Sequence, residues 1–396
     1  MALTTVFIFI ALLGVLIFVH ELGHFLVAKM CRVGVLEFAI GFGRQIFKKR
    51  IGETTYSIRW IPLGGFVKMV GEDPRMRADP EPLEESEAEA VQAQQEMELS
   101  PEEINLLNDR SRWFIEKGYL AKTAIVLAGP GFNVLFAILV SIGTFYILGR
   151  PVRQAPDRPI IGTTLPDSPG EQSGLQAKDL VTEINGEKIN TWTELSSRIA
   201  SSNGAPLHLK VERTVEKNGV ESTEVRMITV TPKKMKSEEQ EIWEGREIEP
   251  SYKVGIQVYI PREPVSGLGE AIYLGTRNVA DASTFMALSI WGMVKGNVST
   301  ENLGGPISIF QATAHSTKRG IEYILGLIVL LNISLAIINL MPIPILDGGH
   351  LMFFTIEGIK GSPVSLRVIE RANQVGMFIL LLLMVVALRN DLLRLF

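Results

Sequence analysis

Apolar residues dominate four stretches of the chain so completely that each is expected to form a membrane-spanning helix: about Thr4–Ala28, Ala124–Leu148, Ile321–Ile345 and Val375–Leu388. A fifth apolar stretch, Ala282–Val294, is shorter. It is flanked by Asp281 and Lys295, with Glu270 and Arg277 upstream. Charges that close predict an amphipathic helix lying in the membrane interface over about 267–296, not a span. Lys and Arg set the expected orientation. Lys29, Arg32 and Arg44 follow the first span, Arg110, Arg112, Lys117 and Lys122 precede the second, and Lys360, Arg367 and Arg371 lie between the third and fourth. Loops 31–122 and 348–374 are therefore expected in the cytoplasm, with both termini and the region after the second span outside.

Between the spans the period changes. Thr54–Ile61 alternates, with Tyr56, Ile58 and Trp60 on one face, and Phe66–Val70 reads as a second short strand. Gly52-Glu53 and Pro62-Leu63-Gly64-Gly65 supply the turns of a β-loop over about 46–71. An open strand edge there could hold an extended peptide by strand addition, although a plain structural hairpin fits the spacing equally well. Glu81–Glu103 is acidic and lacks aromatics, which predicts a disordered or loosely helical linker. Residues 150–235 read as a small α/β domain. Leu180–Ile184 runs into the hairpin dipeptide Asn185-Gly186, and Leu207–Glu212 and Arg226–Val230 alternate as strands. Thr191 and Glu194 predict a capping box for a helix over Trp192–Ser202. His208 is expected to belong to the sheet and to bind nothing.

Of 396 residues, 46% are apolar, too many for an average soluble enzyme, while 21% charged residues are too many for a chain wholly in lipid. The net charge of −4 gives no basic field for nucleic acid. The single cysteine, Cys31, excludes an internal disulfide and is expected to be inert.

The chemistry concentrates in two of the spans. The first contains His20-Glu21-Leu22-Gly23-His24. Residues four apart share a helix face, so His20 and His24 can grip one metal ion, and Glu21 is placed as a general base. Three ionisable side chains in the middle of a span are costly unless paired or metal-bound, which argues against a removable leader. The third span ends in Asn339-Leu340-Met341-Pro342-Ile343-Pro344-Ile345-Leu346-Asp347-Gly348-Gly349-His350. Two prolines two apart break a helix, and broken backbone at membrane depth belongs where it lines a cavity. Asp347 is the preferred third ligand and His350 its rival, because oxygen third ligands accompany the H-E-x-x-H pattern in known zinc sites. A non-catalytic membrane adaptor with a structural metal site would need a fourth ligand, and a metal transporter would need further ligand pairs along the spans.

H-E-L-G-H in one span with N-x-x-P-x-P-x-L-D-G in a later one resembles the site-2 proteases, which are intramembrane zinc metalloproteases, and most closely their bacterial sigma-E-regulating members. Gly64-Gly65-Phe66-Val67-Lys68-Met69, Ala128-Gly129-Pro130 with Asn133, and Leu303-Gly304-Gly305-Pro306-Ile307 extend the likeness almost end to end. The 150–235 region resembles a bacterial-type PDZ domain at Ser168-Pro169, Gly174-Leu175 and Ile184-Asn185-Gly186, with Lys178-Asp179 where Gly-Asp is usual. The resemblance implies a polytopic α-helical membrane protein with four transmembrane helices, a membrane-reentrant β-loop and one extracytoplasmic PDZ domain where the best-known members carry two. It implies Zn2+ on His20, His24 and Asp347, with Glu21 as the base. It places Asn339, Gly64, Gly65, Phe66 and Asn133 along the substrate. Expected substrates are single-span remnants in the bacterial inner membrane, namely truncated anti-sigma factors and signal peptides, with a peptide C-terminus as a possible PDZ ligand.

Overall fold

The computed structural model describes residues 2–72, 101–152, 157–165, 167–217, 220–235, 251–299 and 303–395. Most of the acidic stretch Glu81–Glu103 lies outside the described residues. In chain order, the elements used below are α1 (Ala2–Met30), β1 (Val35–Ile51), β2 (Thr54–Met69), α2 (Tyr119–Leu148), β3 (Ile161–Thr164), β4 (Leu180–Ile184), β5 (Glu187–Lys188), α3 (Trp192–Ser201), β6 (Leu207–Lys217), β7 (Val220–Val230) and β8 (Ile256–Val258). They continue with α4 (Leu268–Lys295), α5 (Pro306–Arg319), α6 (Ile321–Leu340), α7 (Asp347–Lys360) and α8 (Leu366–Leu395). The chain divides into two units, one of residues 1–143, 274–287 and 301–396, the other of 144–273 and 288–300.

In the first unit, helices α1, α2, α6 and α8 are long and apolar enough to cross a membrane. The third span is shorter than the sequence suggests. It stops at Leu340, six non-helical residues carry Pro342 and Pro344, and a new helix begins at Asp347. The segment expected as a loop after this span is thus helical as far as Lys360. Helix α4 has no stretch as apolar as these four, and one side of its middle packs on the bundle. Val279 packs with Ala137 of α2 and with Val329 and Ile333 of α6, and Asn278 donates to Ser141 Oγ at 3.1 Å. Helix α5 was not anticipated. Its N-terminus is capped from α8 by Asp391, whose carboxylate accepts from the backbone N–H of Gly305, Ile307 and Ser308 at 3.0, 2.9 and 3.2 Å and from the Ser308 hydroxyl.

The β-loop starts earlier than expected and doubles back on itself. Residues 35–40 pair with 65–69 on one side (Ala39 with Phe66) and with 55–58 on the other (Ala39 with Ser57), while 45–51 pair with 54–59. Gly41 and Gly43, at φ 90° and 83°, let β1 reverse between its two halves. Among the described residues, 65–69 pair only with β1, so this strand forms an edge of the sheet. At the opposite end Glu53 holds the hairpin turn. It accepts from Arg112 through two bonds of 2.6 and 2.8 Å and from Lys29 Nζ. Burial works to raise the Glu53 pKa, but the Arg112 and Lys29 hydrogen bonds outweigh it and hold the carboxyl below its usual range.

The second unit contains a four-stranded sheet in the order β5-β4-β6-β7 and a separate β3–β8 pair. Its core includes Ile161, Leu175, Val181, Leu195, Leu209 and Val211. The capping of α3 is as anticipated at Thr191, whose hydroxyl accepts from Glu194 N at 3.1 Å, but the Glu194 carboxylate returns to Asn190 N, one residue earlier than the capping box predicts. His208 sits on the sheet with Nδ1 3.0 Å from Thr229 Oγ1. Asp179 is fully buried and takes two bonds of 2.7 Å from Arg213. The residue before it, Lys178, stands at φ 70°, a left-handed conformation that favours glycine.

Two outcomes follow from these contacts. Glu53→Gln should cost the hairpin about 1.5–3 kcal/mol, read as faster hydrogen exchange at amides 54–61. Because the Glu53 pKa is depressed on folding, its contribution is complete above the unfolded value of about 4.3 and should fade as pH falls through the lower folded value. Lys178→Gly should slow exchange across β4 and β6, reporting roughly 1 kcal/mol gained by removing left-handed strain.

Candidate metal centre

Helical spacing brings the two histidines of α1 together. Their rings meet edge to face with centroids 4.8 Å apart, and the two Nε2 atoms are 3.2 Å apart. Helix α2 forms the wall behind them. His24 Nδ1 lies 2.8 Å from the Ile125 carbonyl, so the hydrogen sits on Nδ1 and the Nε2 lone pair is left free. Pro130, with no N–H, loosens this turn of α2. The Asn133 amide lies against His20, with Nδ2 3.1 Å from Nδ1 and an oxygen that is buried without a partner. A half-turn of the amide exchanges the two atoms and gives the Nδ1–H of a metal-ready His20 its acceptor. Gly129 makes this wall possible. A Cβ there would fall inside van der Waals contact of His24 Nε2 and 2.8 Å from His20 Cε1.

The third group comes from the broken helix. Asp347 is the first residue of α7, with its Oδ2 3.2 Å from His20 Nε2 and 3.5 Å from His24 Nε2. Gly348 and Gly349 seat it, because a Cβ at either would collide with carbonyls of the 340–343 turn. Ile345, just upstream, is held at φ 86°, an unusual conformation for a β-branched residue. This strained residue lies between Pro344 and the Asp347 carboxylate, where the chain turns into α7.

These residues fit a tetrahedral metal ion. Zinc bonds of 2.0–2.2 Å separate the ligand atoms by about 3.3–3.5 Å, which matches the three separations in the site. Asp347 Oδ2 is shielded from solvent without a hydrogen-bond partner, and His20, His24 and Asp347 each offer one ligand atom to the same point. His350, the rival ligand, is not in the cluster, and Cys31 packs instead with the apolar residues where α1 meets the sheet.

The cluster opens on a cavity of about 930 Å³. Glu21, Gly64, Gly65, Phe66, Asn339 and His350 all line it. Gly65 lies so near Glu21 that a Cβ there would be 2.9 Å from Glu21 Cγ, which puts the sheet edge beside the carboxylate. Asn133 is placed differently from the other residues expected along a substrate. It is fully buried behind His20 and does not line the cavity. The backing roles of Gly129 and the Ile125 carbonyl were missed, although a Gly-Pro pair inside a span was the available signal.

A zinc metallopeptidase built into a helical membrane bundle is the class of protein that this fold and site define. Residues 8–383 match the model of peptidase family M50, and the chain belongs to that family of site-2 proteases. It is similar along its whole length to the zinc metalloprotease RasP of Geobacillus kaustophilus, at 31% identity covering 99% of that protein, and to RasP of Oceanobacillus iheyensis, at 31% covering all of it. The regulator of sigma-W protease RasP of Bacillus subtilis is 29% identical, again over both full lengths. The chain is thus an integral membrane protein and a zinc-dependent metalloendopeptidase.

Gly129→Ala should weaken zinc binding by at least about 10–100-fold, read by competition with a chromophoric chelator. Gly131→Ala, where a Cβ would meet nothing within 4 Å, should leave it unchanged.

Proposed function

We propose that this chain hydrolyses a peptide bond inside the transmembrane helix of a single-span membrane protein already shortened outside the membrane. His20, His24 and Asp347 hold zinc, and Glu21 is the general base. The observation that carries this reading is the convergence of three acceptors on the wall of a cavity that Glu21 also lines. When bound, zinc supplies an acidified water and a polarised scissile carbonyl. Glu21 takes the proton of the attacking water and delivers it to the departing nitrogen.

A helical substrate locks its backbone in i to i−4 hydrogen bonds and must be unwound before attack. The strand edge at Gly64, Gly65 and Phe66 offers replacement hydrogen bonds by strand addition, and Asn339 offers its side-chain amide to the same stretch of backbone. Asn133 then acts behind His20 instead of along the substrate. Truncated anti-sigma factors and remnant signal peptides are the substrates we favour. The sigma-W regulator name of the Bacillus subtilis relative supports the first class. We read the second unit's sheet and α3 as a PDZ-type domain outside the membrane that receives a peptide C-terminus, with both chain termini on the same side of a bacterial inner membrane. An adaptor with a closed structural site is disfavoured, because the cluster among the described residues supplies three ligands and a structural zinc site takes four.

The test is cleavage of a tagged single-span substrate lacking its outside domain. Glu21→Gln should retain one equivalent of zinc and lose activity by at least about 10²–10⁴-fold. Equal cleavage by both proteins would remove Glu21 from the chemistry.

A further inference from the structure

We propose that His350 is a second catalytic residue, donating a ring N–H to the oxyanion that forms when water adds to the scissile carbonyl. This rests on the protease reading above. His350 follows Asp347 by three residues on α7, a spacing that puts both on one helix face. It lies outside the metal cluster, yet lines the same cavity as Glu21, Gly65 and Asn339. Its ring is within electrostatic reach of Asp347 and His24. The imidazole is exposed to the cavity and has no hydrogen-bond partner among the described residues. Its one recorded ring neighbour is Phe354, with centroids 6.4 Å apart. A ring that lines the cavity and is not held by a protein hydrogen bond can offer its donor to a group that arrives with the substrate.

The reaction can use such a donor. When the water oxygen bonds to the carbonyl carbon, the C=O π pair moves onto oxygen and the water proton passes to Glu21. The new negative charge is shared with bound zinc, and a hydrogen-bond donor adds to that stabilisation; Glu21, now protonated, is committed to the nitrogen. When the C–N bond breaks, its electron pair goes to that nitrogen, which takes the proton from Glu21. The His350 N–H is shared with the oxyanion throughout and is not transferred. The donor acts more strongly on the oxyanion than on the ground-state carbonyl, so it lowers the barrier without tightening substrate binding.

The experiment uses the full zinc-loaded chain in detergent with a single-span substrate. It compares wild type with His350→Leu, with His350→Ala should the leucine variant not fold, and with the amides His350→Asn and His350→Gln, which mimic the two ring nitrogens. Four quantities are read: kcat, KM, zinc content and the affinity of a peptide phosphinate that mimics the tetrahedral adduct. The expected result is a loss of about 10²–10³-fold in kcat for the apolar variant, a parallel loss in phosphinate affinity, unchanged KM and a full equivalent of zinc. One of the amides should recover part of the rate. Unchanged kcat, lost zinc, or a KM that rises as far as kcat falls would overturn the role, the last two marking a ligand or a merely structural residue. Failure of the wild type to cleave in a zinc-dependent way would bring down the protease reading and this role with it. A cleaving wild type beside an unaffected variant would bring down this role alone.

Discussion

Three acceptor atoms, two imidazole nitrogens and one carboxylate oxygen, point at one another across 3.2–3.5 Å within an apolar bundle. With both Nε2 atoms unprotonated, such an arrangement is unfavourable, because lone pairs then face one another. A cation resolves it, and the surrounding structure keeps the three atoms from relaxing away before one arrives. The Ile125 carbonyl fixes one ring, the Asn133 amide meets the other, and Gly129 leaves no space between them and α2. The carboxylate is fixed from the opposite side by a turn in which two glycines lie against carbonyls and an isoleucine takes a left-handed conformation.

The same constraint explains why the third span is broken. An intact helix would carry its carboxylate along a smooth cylinder and satisfy its own backbone. The prolines at 342 and 344 free backbone groups and re-aim the chain, and the end of the turn, Ile345 and Leu346, borders the cavity. The doubled-back sheet adds the other half of the site. Its 65–69 edge brings strand backbone next to Glu21, so the Glu21 carboxylate and an open sheet edge are neighbours by construction.

What could be read in advance follows the range of each interaction. His20, Glu21 and His24 lie within one helical turn and a half, so the 3.6-residue period alone assembles them. The long apolar stretches are equally local, and all four spanning helices were anticipated, with α8 longer than its apolar centre suggested. The partnership with Asp347 crosses more than three hundred residues and was visible only through the proline-broken motif. The burial of the Asn133 amide beside His20 was not legible, because the rotation of α2 about its own axis is set by packing and not by spacing. Period-2 reading found strands in the β-loop but not their register, so the reversal at Gly41–Gly43 went unseen. Helix α5 was hidden because its N-terminal cap, Asp391, lies more than eighty residues downstream.

The wide separation of the metal-facing groups also sets a calendar for the molecule. As the chain is made from its N-terminus, His20 and His24 can be seated once α2 has followed, since their supports lie at 125, 129 and 133. The carboxylate comes two hundred residues later. Throughout that interval the growing polypeptide carries two of the three clustered groups. The newborn protein is in this sense its own zymogen. Its three-residue cluster is complete only after most of its membrane helices have been made.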